Sequence, residues 1–163
     1  MADWFALYTR SRNEKKVHAE LTVRGIESFL PLQKTLKQWS DRKKWVEEPL
    51  IRSYVFVRIT EKEYFDVLNT PGAVRFVFFE GKAARIPDWQ IKALRYFIDT
   101  GMEVEVTDQR LETGDKVLIT RGPFRDMPAE LIEIRGKRKV VLRIENIGYS
   151  ILLTISPGNL KKI

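Results

Sequence analysis

The sequence predicts an α+β fold: a mixed domain with a mostly antiparallel sheet, followed by a small all-β barrel. Three observations carry this expectation. Residues 49–59, PLIRSYVFVRI, contain a strand with large apolar groups on both faces, which calls for a covered sheet. Over residues 1–98, strand-like and helix-like stretches mix without a regular βαβ alternation. From Thr113 onward, only short strand patterns separated by turn residues remain. Charge divides the chain in the same way. Residues 1–98 carry a net +6, residues 99–112 a net −4 and residues 113–163 a net +5. The expected organisation is a first domain over 1–98, a linker over 99–112 and a second domain over 113–163.

In chain order, residues 4–9 (WFALYT) read as a strand, with Phe5 and Leu7 on one face and Trp4, Ala6 and Tyr8 on the other. A helix follows, with Ser11 and Glu14 spaced as a capping box, Val17 and Leu21 on its buried side, and Gly25 as its stop. Arg10, Arg12, Lys15, Lys16 and Arg24 lie on or beside this helix; such a cluster is either a solvated face or a phosphate-binding one. His18, the single histidine, reads as a packing or surface residue. Residues 26–32 give a short strand. Residues 34–48 give a basic hairpin turning at Ser40-Asp41-Arg42, with Trp39 and Trp45 near its tip. Those indoles are either cross-strand packing pairs or stacking platforms between cations.

The central strand spans residues 53–59. Val55, Val57 and Ile59 share an aliphatic face; Tyr54, Phe56 and Arg58 share an aromatic one, either sheltered by the chain or kept for a partner. A short helix over 61–68, a turn at Asn69-Thr70-Pro71-Gly72, a strand over 73–79 and a helix over 89–98 capped by Asp88 complete the first block. In the linker, residues 103–106 form a short extended piece. The second block holds strands at 116–120, 129–134, 139–144, 150–155 and 160–163.

Composition narrows the function classes. The chain of 163 residues carries a net charge of +7, which favours polyanionic partners, nucleic acid first. It has no cysteine, which excludes disulfides and thiolate metal sites. It shows no apolar run of membrane-spanning length and no signal-peptide pattern, so a cytoplasmic protein with no membrane association is expected. One histidine, no phosphate-cradling glycine loop and no nucleophile elbow speak against an enzyme, and no cofactor is expected. Glu47 and Glu48 are adjacent on a strand and so face opposite sides.

The segments WFALYTRSRNEKKVHAEL, RGIESFLPL, EEPLIRSYVFVRI and LNTPGAVRFVFF resemble the amino-terminal (NGN) domain of the NusG family of transcription factors. Residues 114–163, from GDKVLITRGPF onward, resemble its KOW domain, with Gly122 at the KOW glycine. The stretch WSDRKKWVEEPL is most similar to specialised paralogues of the UpxY or RfaH kind. The resemblance implies an NGN-type α/β domain and an SH3-like barrel. It implies a monomer that acts by binding in transcription elongation and antitermination. Tyr8, Ile51, Phe56 and Phe79 would dock on the clamp helices of RNA polymerase. Arg10, Arg12, Lys15, Lys16 and Arg24 would face non-template DNA. Phe124, Met127 and Ile147 would meet a second protein, a ribosomal protein or a termination factor. Two departures stand out. Ile51-Arg52-Ser53-Tyr54 replaces the family's Phe-Pro-Gly-Tyr turn, and Met127-Pro128 replaces a glycine-containing step. The alternative is a ribosome- or RNA-associated KOW protein, binding phosphate through Lys137-Arg138-Lys139.

Overall fold

The computed structural model describes residues 1–100, 105–107, 114–122, 124–134, 137–144, 149–153 and 160–163. Contacts divide them between two units, Met1–Asp88 and Trp89–Ile163.

The first unit is built on a four-stranded antiparallel sheet. Its strands are β1 (Asp3–Thr9), β2 (Glu27–Phe29), β5 (Tyr54–Ile59) and β6 (Ala73–Phe76), in the order β2-β5-β1-β6. The register pairs Leu7 with Val55, Ala6 with Phe56 and Tyr8 with Tyr54. The aliphatic face packs under α1 (Glu14–Val23) and α2 (Tyr64–Leu68), where Leu7, Val55, Val57 and Ile59 meet Val17, Leu21, Val67 and Phe76. The aromatic face is partly sheltered as well: Trp4, Ala6 and Phe56 are buried.

Helix α1 stops as its sequence demands. Gly25 takes a left-handed φ of 77°, its N–H donates to the Thr22 carbonyl, and the Ile26 N–H donates to the Leu21 carbonyl. This is a Schellman motif, closed by the buried Leu21 and Ile26. The helix starts differently from the expected capping box. Arg12 adopts a φ of 63°, and the chain makes one more turn, with the Asn13 N–H donating to the Arg10 carbonyl. Asn13 becomes the N-cap without a side-chain bond to the helix. Glu14 is freed for another task. It is buried and accepts a hydrogen bond at 3.4 Å from the Ser53 N–H.

Two small sheets project from this frame. One is β3 (Leu32–Gln38) with β4 (Lys43–Pro49), the other β7 (Phe78–Phe79) with β8 (Lys82–Ala83). A single strand was expected over 73–79; it breaks at Val77. The Val77 N–H donates to the Ala6 carbonyl, while its own carbonyl accepts from Ala84, so the strand changes partner there. Phe76 stays in the core, stacked on Tyr64 at 4.7 Å, and Phe78 and Phe79 turn outward. The β7–β8 turn has positive φ at both Glu80 and Gly81, as a two-residue type I′ hairpin requires.

In the second unit the strands are β9 (Glu105–Thr107), β10 (Asp115–Ile119), β11 (Pro128–Ile134), β12 (Lys137–Ile144), β13 (Tyr149–Leu153) and β14 (Leu160–Lys162). All neighbours are antiparallel, in the order β14-β10-β11-β12-β13-β9, the mostly antiparallel β-rich domain expected of an SH3-like barrel. The extended piece foreseen in the linker is the sixth strand, paired with β13. Val140, Leu142, Ile151 and Leu153 are buried as their alternation predicts. Val141 and Leu152 are buried too, so the middle of this sheet is covered on both faces. Helix α3 (Asp88–Thr100) departs from the expected boundary at residue 98: from Trp89 its residues group with the β-rich unit. The cause is apolar packing, with Phe97 and Tyr96 set 5.0 and 4.9 Å from the Phe124 ring. Gln90 Nε2 also donates to the Arg143 carbonyl at 3.2 Å.

Candidate nucleic-acid and protein interface

The cationic cluster forms where β1 hands over to α1. Arg10, Arg12, Lys15 and Lys16 are all exposed around the first turn of the helix. Arg10 is held by its backbone, its N–H donating to the Gly72 carbonyl at 2.9 Å. Gly72 allows this close passage: its φ is 94°, and an added Cβ would stand 3.0 Å from Val17 Cγ2. Lys15 Nζ donates to the Glu47 carbonyl at 2.8 Å, which ties the helix to the β3–β4 hairpin. Four cations around one helix N-terminus give phosphate a field made of side chains and of orphan N–H groups.

Arg24 does not belong to this cluster. It sits at the opposite end of the helix, about 15 Å away by helix rise. Its guanidinium donates to the Asp66 carbonyl at 3.1 Å and to Thr70 Oγ1 at 2.9 Å, with Glu20 at 3.6 Å. These bonds fasten the end of α1 to the α2–β6 connection. His18 is half-buried, its Nδ1 2.5 Å from Ser28 Oγ, and burial lowers its pKa.

The expected aromatic pocket separates into a buried and an exposed part. Phe56 and Ile51 are fully buried and offer a partner no surface. Phe56 lies beside Phe29, opposite Ala6; Ile51 is fixed in the turn that enters β5. Tyr8 and Phe79 do present surface. Tyr8 is half-buried, edge-on to Tyr54 at 5.6 Å, with the Arg75 guanidinium 5.9 Å from its ring centre. Burial, then the Tyr8 neighbour, raises the Tyr54 pKa, with Arg75 opposing. Phe79 is 63% exposed, beside Phe78 at 51%. Phe78 was not singled out from sequence; the signal for it was the Glu80-Gly81 turn, which makes the Phe-Phe pair the arm of a hairpin.

In the second unit, Phe124 is buried against Tyr96 and Phe97, a correction to its expected place in a partner-facing loop. The apolar face of α3 claims it. Met127 is half-buried; its N–H donates to the Phe124 carbonyl and its carbonyl accepts from Ile119. Ile147 lies outside the described residues. Gly122 has a φ of 84°, left-handed backbone that favours glycine at the start of this loop. Glu130 and Arg143 form a shielded ion pair on β11 and β12, and the Gly114 N–H donates to Glu130 at 3.1 Å. Burial pushes the Glu130 carboxyl up, but the Arg143 and Gly114 hydrogen bonds, with the Arg143 and Lys116 charges, outweigh it and hold the pKa below the usual range. Among the described residues there is no cluster of three or more metal-ligating side chains, and no helix long and apolar enough to cross a membrane.

The described residues thus define a two-unit protein, a basic α+β unit with an exposed cationic cluster and exposed rings, and a β-rich unit. The family described as "Transcription termination factor nusG" matches residues 2–95, and the chain belongs to the NusG family. It is 25% identical to the transcription termination/antitermination protein NusG of Staphylococcus aureus (strain Mu50) over 174 residues, covering 98% of this chain and 95% of that one. The NusG protein of Staphylococcus carnosus (strain TM300) matches with the same identity and coverage. Among solved structures, that of "Domain interaction in Thermotoga maritima NusG" aligns with a TM-score of 0.57 at 22% identity, over 100% of this chain and 98% of that one, which confirms the fold.

Proposed function

We propose that this chain is a transcription elongation and antitermination factor that acts by binding alone. Tyr8 and Phe79 meet the clamp helices of RNA polymerase, while Phe56 and Ile51 shape the sheet beneath. Arg10, Arg12, Lys15 and Lys16 track the non-template strand in the transcription bubble. Met127 and the loops of the KOW domain recruit a second protein, a ribosomal protein or a termination factor. The observation that carries this reading is a family match over residues 2–95 that spans both the exposed cations and the exposed Tyr8 and Phe79. Holding a polymerase in its elongating state requires higher affinity for that state than for the paused one. In a purified elongation assay the protein should shorten pause lifetimes, and Tyr8→Ala with Phe79→Ala should abolish the effect. Pause lifetimes that stay unchanged on every template, or polymerase binding that survives both substitutions, would overturn it.

A further inference from the structure

The β3–β4 hairpin meets the core at its base through Leu32, and its outer part departs from what stable hairpins favour. Its two strands pair only with each other, so both edges are open, and residues 36–45 of its outer part are exposed on both faces. The register sets Lys37 directly opposite Lys44, like charges where sheets favour opposite ones. Lys37 is relieved by an ion pair with Glu48, but Arg42, Lys43 and Lys44 are exposed and have no ion pair among the described residues. Two indoles sit among these cations, Trp39 at 51% and Trp45 at 65% exposure. Trp45 faces the same side as Leu36, Lys34 and Glu47, beside an open cleft of about 470 Å³ lined by Lys34, Trp45, Val46 and Glu47. Trp39 closes the turn, its N–H donating to the Arg42 carbonyl.

We propose that this hairpin is a second nucleic-acid site, with Trp39 and Trp45 stacking on unpaired bases while Lys43, Lys44 and Arg42 neutralise the adjoining phosphates. The ligand is a single-stranded polynucleotide. Duplex bases are already stacked and leave an indole nothing to cover, whereas every unpaired base offers a face. A protein partner fits less well, because the centres of protein interfaces are depleted in lysine. The site adjoins the cations of α1, since Lys15 Nζ is bonded to the Glu47 carbonyl at the hairpin's side. It does not depend on polymerase binding.

The test uses the full chain without polymerase, titrated with oligo(dT), oligo(U) and a duplex, each about 12 nucleotides long. Single strands should quench tryptophan emission and bind at least about tenfold more tightly than the duplex. Trp39→Ala with Trp45→Ala should lose about tenfold or more in affinity, and Trp45→Phe should keep most of it. Lys43→Gln with Lys44→Gln should flatten the slope of log affinity against log salt by about 1.4. Arg10→Ala with Lys16→Ala should weaken binding through lost phosphate contacts but leave the full quench at saturation, which separates stacking on this hairpin from the charge of the α1 cluster. Preference for oligo(dT) or for oligo(U) identifies the strand as DNA or RNA. Equal binding of duplex and single strands without quenching would overturn the proposal. So would unchanged affinity in a double tryptophan variant whose circular dichroism matches the parent.

Discussion

The family resemblance groups Phe56 and Phe79 as rings of one pocket, and their surroundings make them opposites. Phe56 is fully buried, so Phe56→Ala leaves a cavity and should lower unfolding free energy by about 3–5 kcal/mol in urea titrations. Phe79→Ala should change stability by no more than about 0.5 kcal/mol, and its effect should appear in polymerase affinity instead. Equal destabilisation by both would contradict this division. Glu130 carries a second residue-scale consequence. Its pKa is lowered in the folded chain, so its contribution to stability is present above the ordinary carboxylate range, near pH 4.3, and is lost as pH falls through the folded value. Denaturation between about pH 6 and about pH 3 should show the β-rich unit weakening toward acid, and Glu130→Gln should be less stable at neutral pH with a flatter acid limb. A parent and a variant with parallel pH profiles would show that this pair is not responsible.

At the scale of elements, the turn into β5 shows how a family motif is kept in geometry and changed in chemistry. Ser53 has a φ of 66°, a left-handed conformation, at the position where the family's Phe-Pro-Gly-Tyr turn has glycine. The backbone is fixed there by the Thr9 N–H donating to the Ser53 carbonyl at 2.8 Å and by Glu14 accepting from its N–H. A side chain in that region costs about 1 kcal/mol, so Ser53→Gly should stabilise the chain by about 0.5–1 kcal/mol, read as a higher urea midpoint. An unchanged or lower midpoint would mean the turn relaxes around serine. Strand and helix positions were legible because alternation in Val55-Phe56-Val57 and the Val17/Leu21 spacing are local signals. The start of α1 was not, because Glu14 is drawn away by Ser53, 39 residues distant in sequence. The break at Val77 was hidden for the same reason: Ala6 and Ala84 decide it. The cations were legible as a cluster, but sequence could not show that Arg24 is taken by Asp66 and Thr70, or that Phe124 is taken by α3.

For the whole molecule, charge and apolar surface make separable contributions to binding. Of the net charge of +7, residues 1–98 carry +6 and also hold Tyr8 and Phe79, while residues 113–163 carry +5 and residues 99–112 carry −4. Phosphate contacts release counterions, so their share of affinity falls as salt rises, by about 0.7 in log–log slope per contact on a single strand. Burial of a ring against polymerase helices carries no such term. Affinity for a transcription complex, measured across a salt series, should therefore respond differently to two variants. Arg10→Ala with Lys16→Ala should flatten the slope by about 1.4 and cost most at low salt. Phe79→Ala should lower the line without changing its slope. Two variants with the same slope would mean that the cations of α1 do not lie along the nucleic acid, even if the rings do reach the polymerase.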